Sequence, residues 1–378
     1  MKYLCLSAAA KCTAGAIALI SLLPLQALAK DYTALNIFGD SLVDAGNLFN
    51  LTGQPPSPPY AKKLSNGAVW VEPLADELGL KPTLSTEVLP NLFSSGLPTE
   101  GINFALTGSL SSDINVGSPL LPGLRQQIET FGVIAPIFPT DSEALFVLLA
   151  GGNDYNQALF APDSLTTPLE NLPSQVTDNL TAATAALIGL GAKNLLVANL
   201  PDLGSQPFAS QLNQFDPRSS TLLTALSAEH NLLLDQKLSA LSATSPAKIT
   251  QLKLNELFGA IATDPASFGF TNTTDSCLTN FQPGFVFEGI CDNPDEFVFW
   301  DNVHPTAAAH SEIAQFAIAA LHQESPQSVT PQSVTPQSVT PQSVTPQSVP
   351  EPAGVIGLLL FGGAALTVSK RAKQLAVS

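Results

Sequence analysis

Basic residues are scarce in this chain: 15 Lys and Arg stand against 31 Asp and Glu, for a formal net charge of −16. Five of the 15 (Lys2, Lys11, Lys370, Arg371 and Lys373) lie in the two terminal segments, so the stretch 30–352 is more acidic still. Such a surface repels phosphate backbones and argues against nucleic acid as a partner. Histidine is limited to His230, His304, His310 and His322, which leaves four candidates for any imidazole chemistry. Of the four cysteines, Cys5 and Cys12 belong to the N-terminal segment, and Cys277 and Cys291 remain in a Gly/Asn/Asp-rich stretch. Two thiols with no neighbouring His make a poor zinc site. In an oxidising compartment two close cysteines read instead as one disulfide closing a loop.

Both ends stand apart from the rest. Lys2 and Lys11, an apolar run over 14–25 and Ala27-Leu28-Ala29 predict a secretory signal over 1–29, cleaved by signal peptidase after Ala29. An uncleaved N-terminal anchor is the alternative, and either one takes the following residues out of the cytoplasm. At the other end the pentapeptide PQSVT recurs within 323–349, a composition that cannot bury a core and reads as an extended stalk. Pro350-Glu351-Pro352 then precedes an apolar run over 353–369, about 25 Å long as a helix and enough to span a bilayer core. Lys370, Arg371 and Lys373 follow at once, and basic residues stay on the cytoplasmic side. A buried core helix would show a polar stripe, and this run has none. Tripeptide, span and basic stop in this order resemble the PEP-CTERM sorting signal of exported bacterial proteins, over residues 350–378. The resemblance implies an exosortase-type processing enzyme as a partner and attachment to the membrane through the C-terminal segment, transient if it is cut and permanent if it is not.

The stretch 30–322 has the length of one large domain. Branched apolar runs at 33–38, 145–150 and 194–198, and a weaker one at 249–254, read as strands. Helical patterns occupy 122–131, 173–190, 219–242 and 306–322. This alternation predicts an α/β fold, a three-layer α/β/α sandwich with a central parallel sheet buried on both faces. In such sheets the chemistry collects at the carboxyl ends of the strands. The first three runs end there in Gly39-Asp40-Ser41, Gly151-Gly152-Asn153-Asp154 and Asn199-Leu200-Pro201-Asp202. Residues 49–66 read as an irregular surface loop, and 84–100 and 157–172 as similar connections or, alternatively, substrate-binding excursions.

Two constellations carry chemistry. Ser41 directly follows a strand and is expected at the first turn of a helix, where its own backbone N–H and the helix N-terminus favour a developing oxyanion. The competing reading is a simple helix cap. His304 follows Asp301-Asn302-Val303 and precedes Pro305. An Asp three residues before a His in a rigid turn can hold the imidazole Nδ1, fix its tautomer and stabilise the imidazolium, as a general base for serine requires. Asp40 and Asp44 are expected to satisfy backbone donors around the serine turn, and Asp154 to hold Asn153. Phe285, Phe287, Phe297, Phe299 and Trp300 are read as packing residues.

The run Gly39-Asp40-Ser41-Leu42-Val43-Asp44-Ala45-Gly46-Asn47 resembles the first block of the GDSL/SGNH hydrolases, and three further blocks follow in that family's order. They are Asn103-Phe104-Ala105-Leu106-Thr107-Gly108, Gly151-Gly152-Asn153-Asp154 and Asp301-Asn302-Val303-His304-Pro305. Asn199-Leu200-Pro201-Asp202-Leu203-Gly204 and the run 293–300 are similar to segments of the lipase-like branch. The resemblance covers roughly residues 33–320. It implies an SGNH (flavodoxin-like) fold, a catalytic triad of Ser41, Asp301 and His304, and an oxyanion hole from the backbone of Ser41 and Gly108 with the Asn153 side chain. It further implies an acyl-enzyme on Ser41, an ester substrate (lipid or small acyl ester), and no metal or organic cofactor. Thr107 departs from the pattern, since a second glycine is common there, and puts the fit of the hole in question. The Gly-x-Ser-x-Gly elbow of another hydrolase class is absent. A surface-displayed binding or matrix protein on the same scaffold is the alternative, though it has no need to keep all five residues.

Overall fold

The computed structural model describes residues 32–92, 98–136, 141–161 and 167–322. The expected signal over 1–29, the PQSVT tract and the apolar run 353–369 lie outside these residues, as do parts of the connections 84–100 and 157–172. Among the described residues no helix is long and apolar enough to cross a membrane.

Six strands form one parallel sheet: β1 (Leu35–Gly39), β2 (Thr83–Leu84), β3 (Ile102–Asn103), β4 (Leu145–Leu149), β5 (Asn194–Ala198) and β6 (Lys248–Leu252), in the order β2-β3-β1-β4-β5-β6. Three strands show why the sheet is buried twice. In β4, Phe146 and Leu148 face one core, while Leu145, Val147 and Leu149 face the other. Strands β1 and β5 divide in the same way, Phe38 against Leu35 and Ile37, and Leu195 and Val197 against Leu196 and Ala198. Side chains alternate across a strand, so a continuous apolar run fits only a sheet covered on both faces.

The first cover consists of α3 (Leu124–Ile134), α4 (Gly152–Phe160), α5 (Leu172–Gly189) and α6 (Ser219–Thr244). The second consists of α2 (Val71–Glu77), α7 (Leu254–Thr263) and α8 (Ala307–His322); the short α1 (Asn47–Thr52) sits beyond the end of β1. This is the expected three-layer α/β/α sandwich. Differences from the sequence reading concern small elements. Strands β2 and β3 have two residues each, too short to leave a pattern, and α2 has only seven. A small parallel pair, β7 (Asn272–Ser276) with β10 (Phe297–Phe299), and an antiparallel pair, β8 (Leu278–Thr279) with β9 (Gly289–Ile290), lie beside the main sheet.

The chain leaves β1 toward β3 on one side and returns through β4 on the other, so β1 lies at the switch point of the sheet. A crevice opens at the carboxyl ends of strands at such a point.

Candidate active site

Three neighbouring strand ends meet at that crevice. From β1 the chain turns sharply through Gly39, whose φ of +148° and backbone contact with Leu149 exclude a side chain: a Cβ there would stand 1.9 Å from the Leu149 carbonyl oxygen. Ser41 comes next, buried at 6 % exposure. It is not on a helix. The backbone N–H groups of Val43 and Asp44 both donate to the Asp40 carbonyl, a single turn that is not continued, and α1 starts only at Asn47. The expected helix N-terminus is therefore absent at Ser41, because Asp44 takes the N–H groups of Gly46, Asn47 and Leu48 and begins a separate helix there.

Asp44 also ties in the second strand end. Its Oδ2 accepts both the N–H and the hydroxyl of Thr107, each at 2.9 Å. Thr107 thus has a use that glycine cannot supply, and it fixes the approach to Gly108, which holds φ +84°. From the end of β4, Asn153 donates through Nδ2 to the Ser109 carbonyl at 3.0 Å. Asp154 grips Ser111 through both its N–H and its hydroxyl, so it anchors the 109–111 loop and not, as expected, Asn153. Neither the Ser41 nor the Gly108 backbone N–H has a protein acceptor among the described residues.

Asp301 and His304 arrive from the far end of the chain. After β10, the N–H of Trp300 donates to the His304 carbonyl at 2.7 Å and closes a tight turn. Within it Asp301 Oδ1 accepts the N–H groups of Val303 and His304 at 2.9 and 2.8 Å. His304 Nδ1 lies 2.8 Å from Asp301 Oδ1 and 2.9 Å from Oδ2, and Nε2 lies 2.9 Å from Ser41 Oγ. A carboxylate only accepts, so Nδ1 carries the hydrogen and Nε2 is left to accept the serine hydroxyl. Burial pushes the Asp301 carboxyl up. The charge and hydrogen bond of His304 and the two backbone N–H groups outweigh it and hold the group below its ordinary value. Burial pushes Asp40 up to about 7 and Asp154 up to about 6 against their backbone hydrogen bonds, so neither is a full-time anion near neutrality.

Ser41, Gly108, Asn153, Asp301 and His304 all line one pocket. Its remaining wall is largely apolar and includes Leu48, Leu64, Leu121, Phe208, Phe281 and Phe285. Phe285 is thus a wall of the pocket and not only packing, whereas Phe299 and Trp300 are buried in cores. Phe281 and Phe285 come from the loop between β8 and β9, which is closed by the bond between Cys277 and Cys291. The other histidines lie elsewhere. His230 is fully buried on α6 beside Tyr155, and His310 on α8 accepts the Trp70 N–H.

A residue that sequence reasoning missed lies inside the presumed connector 49–66. Tyr60, 2 % exposed, donates its hydroxyl to Asp301 Oδ2 at 2.8 Å. Its partner is 241 residues away, and no local pattern announces it.

Fold and site together define a hydrolase of carboxylic esters built on a parallel α/β sheet. The chain belongs to the GDSL-like Lipase/Acylhydrolase family, whose family model matches residues 35–317. Among curated relatives, GDSL esterase/lipase At1g06990 of Arabidopsis thaliana is 25 % identical over 318 residues, covering 75 % of this chain and 87 % of the relative. GDSL esterase/lipase 6 of the same plant is 27 % identical over 321 residues, covering 76 % and 86 %. Among solved structures, an acetyl xylan esterase is similar at 12 % identity and a TM-score of 0.38, over 76 % of this chain and 99 % of that one.

Proposed function

We propose that the protein is an exported serine esterase in which His304 takes the proton of Ser41 as its oxygen attacks an ester carbonyl. Asp301 orients the imidazole and stabilises the imidazolium. The backbone N–H groups of Ser41 and Gly108, with the second N–H of the Asn153 amide, receive the tetrahedral oxyanion, each contributing about 2–4 kcal/mol in the transition state. Collapse of that intermediate expels the alcohol, which takes the proton from His304. Water then attacks the acyl-enzyme with the same histidine as base. The observation that carries this reading is the continuous hydrogen-bonded line from Ser41 Oγ through His304 to Asp301 at the floor of an open pocket. Most of that pocket's wall among the described residues is apolar, which favours an ester with an aliphatic or aromatic acyl or alcohol part over a sugar acetate.

Export rests on the features of 1–29 and 323–378, which support cleavage by signal peptidase, outward placement of the domain and trimming near Pro350-Glu351-Pro352 by an exosortase-type enzyme. Cys277 and Cys291 suit the same compartment.

The testing experiment is a panel of chromogenic acyl esters of graded chain length, run beside Ser41→Ala, with a fluorophosphonate probe on both proteins. Wild type is expected to turn over the longer members and to be labelled at Ser41, and the variant to do neither. Labelling that survives Ser41→Ala rejects the nucleophile. Intact mass of the protein from its native host decides the processing: a mature form that still contains Lys373 leaves permanent anchoring as the better account.

A further inference from the structure

We propose that Tyr60 is a positioning residue for the esterase reaction, holding the Asp301 carboxylate in register with His304 and setting how strongly it attracts the imidazolium. The proposal rests on the reading of Ser41, His304 and Asp301 as the catalytic residues.

Asp301 is 2 % exposed, and its oxygens divide their work. Oδ1 takes two backbone N–H groups of its own turn. Oδ2 reaches only side chains, His304 Nδ1 and the Tyr60 hydroxyl. Among the described residues Tyr60 is therefore the one hydrogen-bonding contact by which a distant segment fixes the rotation of this carboxylate. The phenol is itself held. Its ring meets Phe285 and Trp300 edge-on, with centroids 5.4 and 6.2 Å apart. Trp300 directly precedes Asp301, and Phe285 is a wall of the pocket. Burial pushes the phenol far up from its ordinary range, and the charge and hydrogen bond of Asp301 add to this. The group stays a donor at every working pH.

A buried hydrogen bond to an ion disperses its charge. Without the Tyr60 hydroxyl, Asp301 keeps more charge for the His304 proton, and the imidazolium becomes harder to deprotonate. The acid limb of the rate profile, where His304 must be neutral to act as base, then moves to higher pH. The other ionisable groups near this pair are the same in wild type and in Tyr60→Phe. Asp40 lies on the serine turn, and His310 on α8 is pushed down to about 3 by burial. Lys63, on Tyr60's own segment, is paired with Glu72 of α2 at 2.6 Å. Asp40 titrates within the measured window, but it does so in wild type and variant alike, so the difference in the limb between wild type and Tyr60→Phe reports the lost hydroxyl.

The test is Tyr60→Phe, which keeps the ring and its packing, measured on a short soluble chromogenic ester from pH 5 to 9 beside Asp301→Asn and Ser41→Ala. Expected for Tyr60→Phe are a kcat lower by about tenfold with KM within about twofold, and an acid limb raised by about half a pH unit. A thermal melt run on the same samples separates folding from chemistry. An unmoved limb and unchanged kcat in a folded Tyr60→Phe, while Asp301→Asn and Ser41→Ala are inactive, overturn the role of Tyr60 alone. A drop in melting temperature with an unmoved limb does the same, since it assigns Tyr60 to packing. Activity surviving in Ser41→Ala overturns the underlying catalytic reading instead.

Discussion

Burial without a counter-ion governs the two core histidines. Burial pushes His230 and His310 down to about 3. The unfolded chain takes up protons at both below its ordinary imidazole value, and the folded chain refuses them until near pH 3. Stability from these groups is thus present above about pH 6.5 and lost as pH falls toward 3. Asp40 and Asp154 oppose this, because their raised values let the folded chain keep protons that the unfolded chain releases. Their contribution is full below the ordinary carboxylate value and is lost as pH rises through about 7 and about 6. Replacing His230 separates the two trends. His230→Leu strands the Tyr155 hydroxyl and is expected to cost about 1–3 kcal/mol at pH 7.5, with turnover of short esters unchanged. Between pH 7.5 and 5 it is expected to lose about 2 kcal/mol less than wild type, read from urea unfolding at both values. An equal loss in the two proteins shows that His230 does not titrate on unfolding.

At the scale of elements, the turn after β1 is held by the Leu149 carbonyl, which accepts the Asp40 N–H, and by the Gln127 amide, which bonds both the N–H and the carbonyl of Gly39; glycine there is obligatory. Gly39→Ala is expected to yield no soluble folded protein, because the new Cβ collides with the backbone of β4 in the middle of the sheet. Gly53→Ala serves as the control. Gly53 also has a positive φ, of +73°, but open space around it, so it is expected to cost only about 1–2 kcal/mol by thermal melting. Comparable losses in both show that conformation, and not the collision, sets the requirement. Strands β4 and β5 and helices α5 and α6 were legible within a residue or two, since their apolar runs are long and face closed cores. The four site blocks were legible because each sits on a few consecutive residues. What stayed hidden depends on distance along the chain. The two-residue strand β3 exists only through its pairing with β1 and β2, and Asp44 reaches forward to Thr107 across 63 residues. Tyr60 reads as one aromatic in a proline-rich connector until Asp301 stands beside it.

For the whole molecule, the loop closed by Cys277 and Cys291 joins stability to substrate choice. Its Phe281 and Phe285 form pocket wall, while Ser41 follows β1 and Asp301 and His304 follow β10; the loop touches that last turn through the Phe281 carbonyl, which accepts the Asn302 amide, and through Phe285 against Tyr60. Opening a loop of this length costs about 3 kcal/mol in the chain-entropy model. The double variant Cys277→Ser, Cys291→Ser is therefore expected to melt at a lower temperature and to lose turnover of long acyl esters first, with acetate esters affected least. A uniform loss across chain lengths shows that the loop supports the catalytic turn directly. Ser41 and His304 lie 263 residues apart, and the base comes with the segment just before α8. A growing chain carries its serine early but lacks the His304 imidazole until the segment before α8 is made. With the proposed roles of Ser41 and His304, the hydroxyl is expected to stay inert during synthesis and to be armed only when the last helix closes on the sheet.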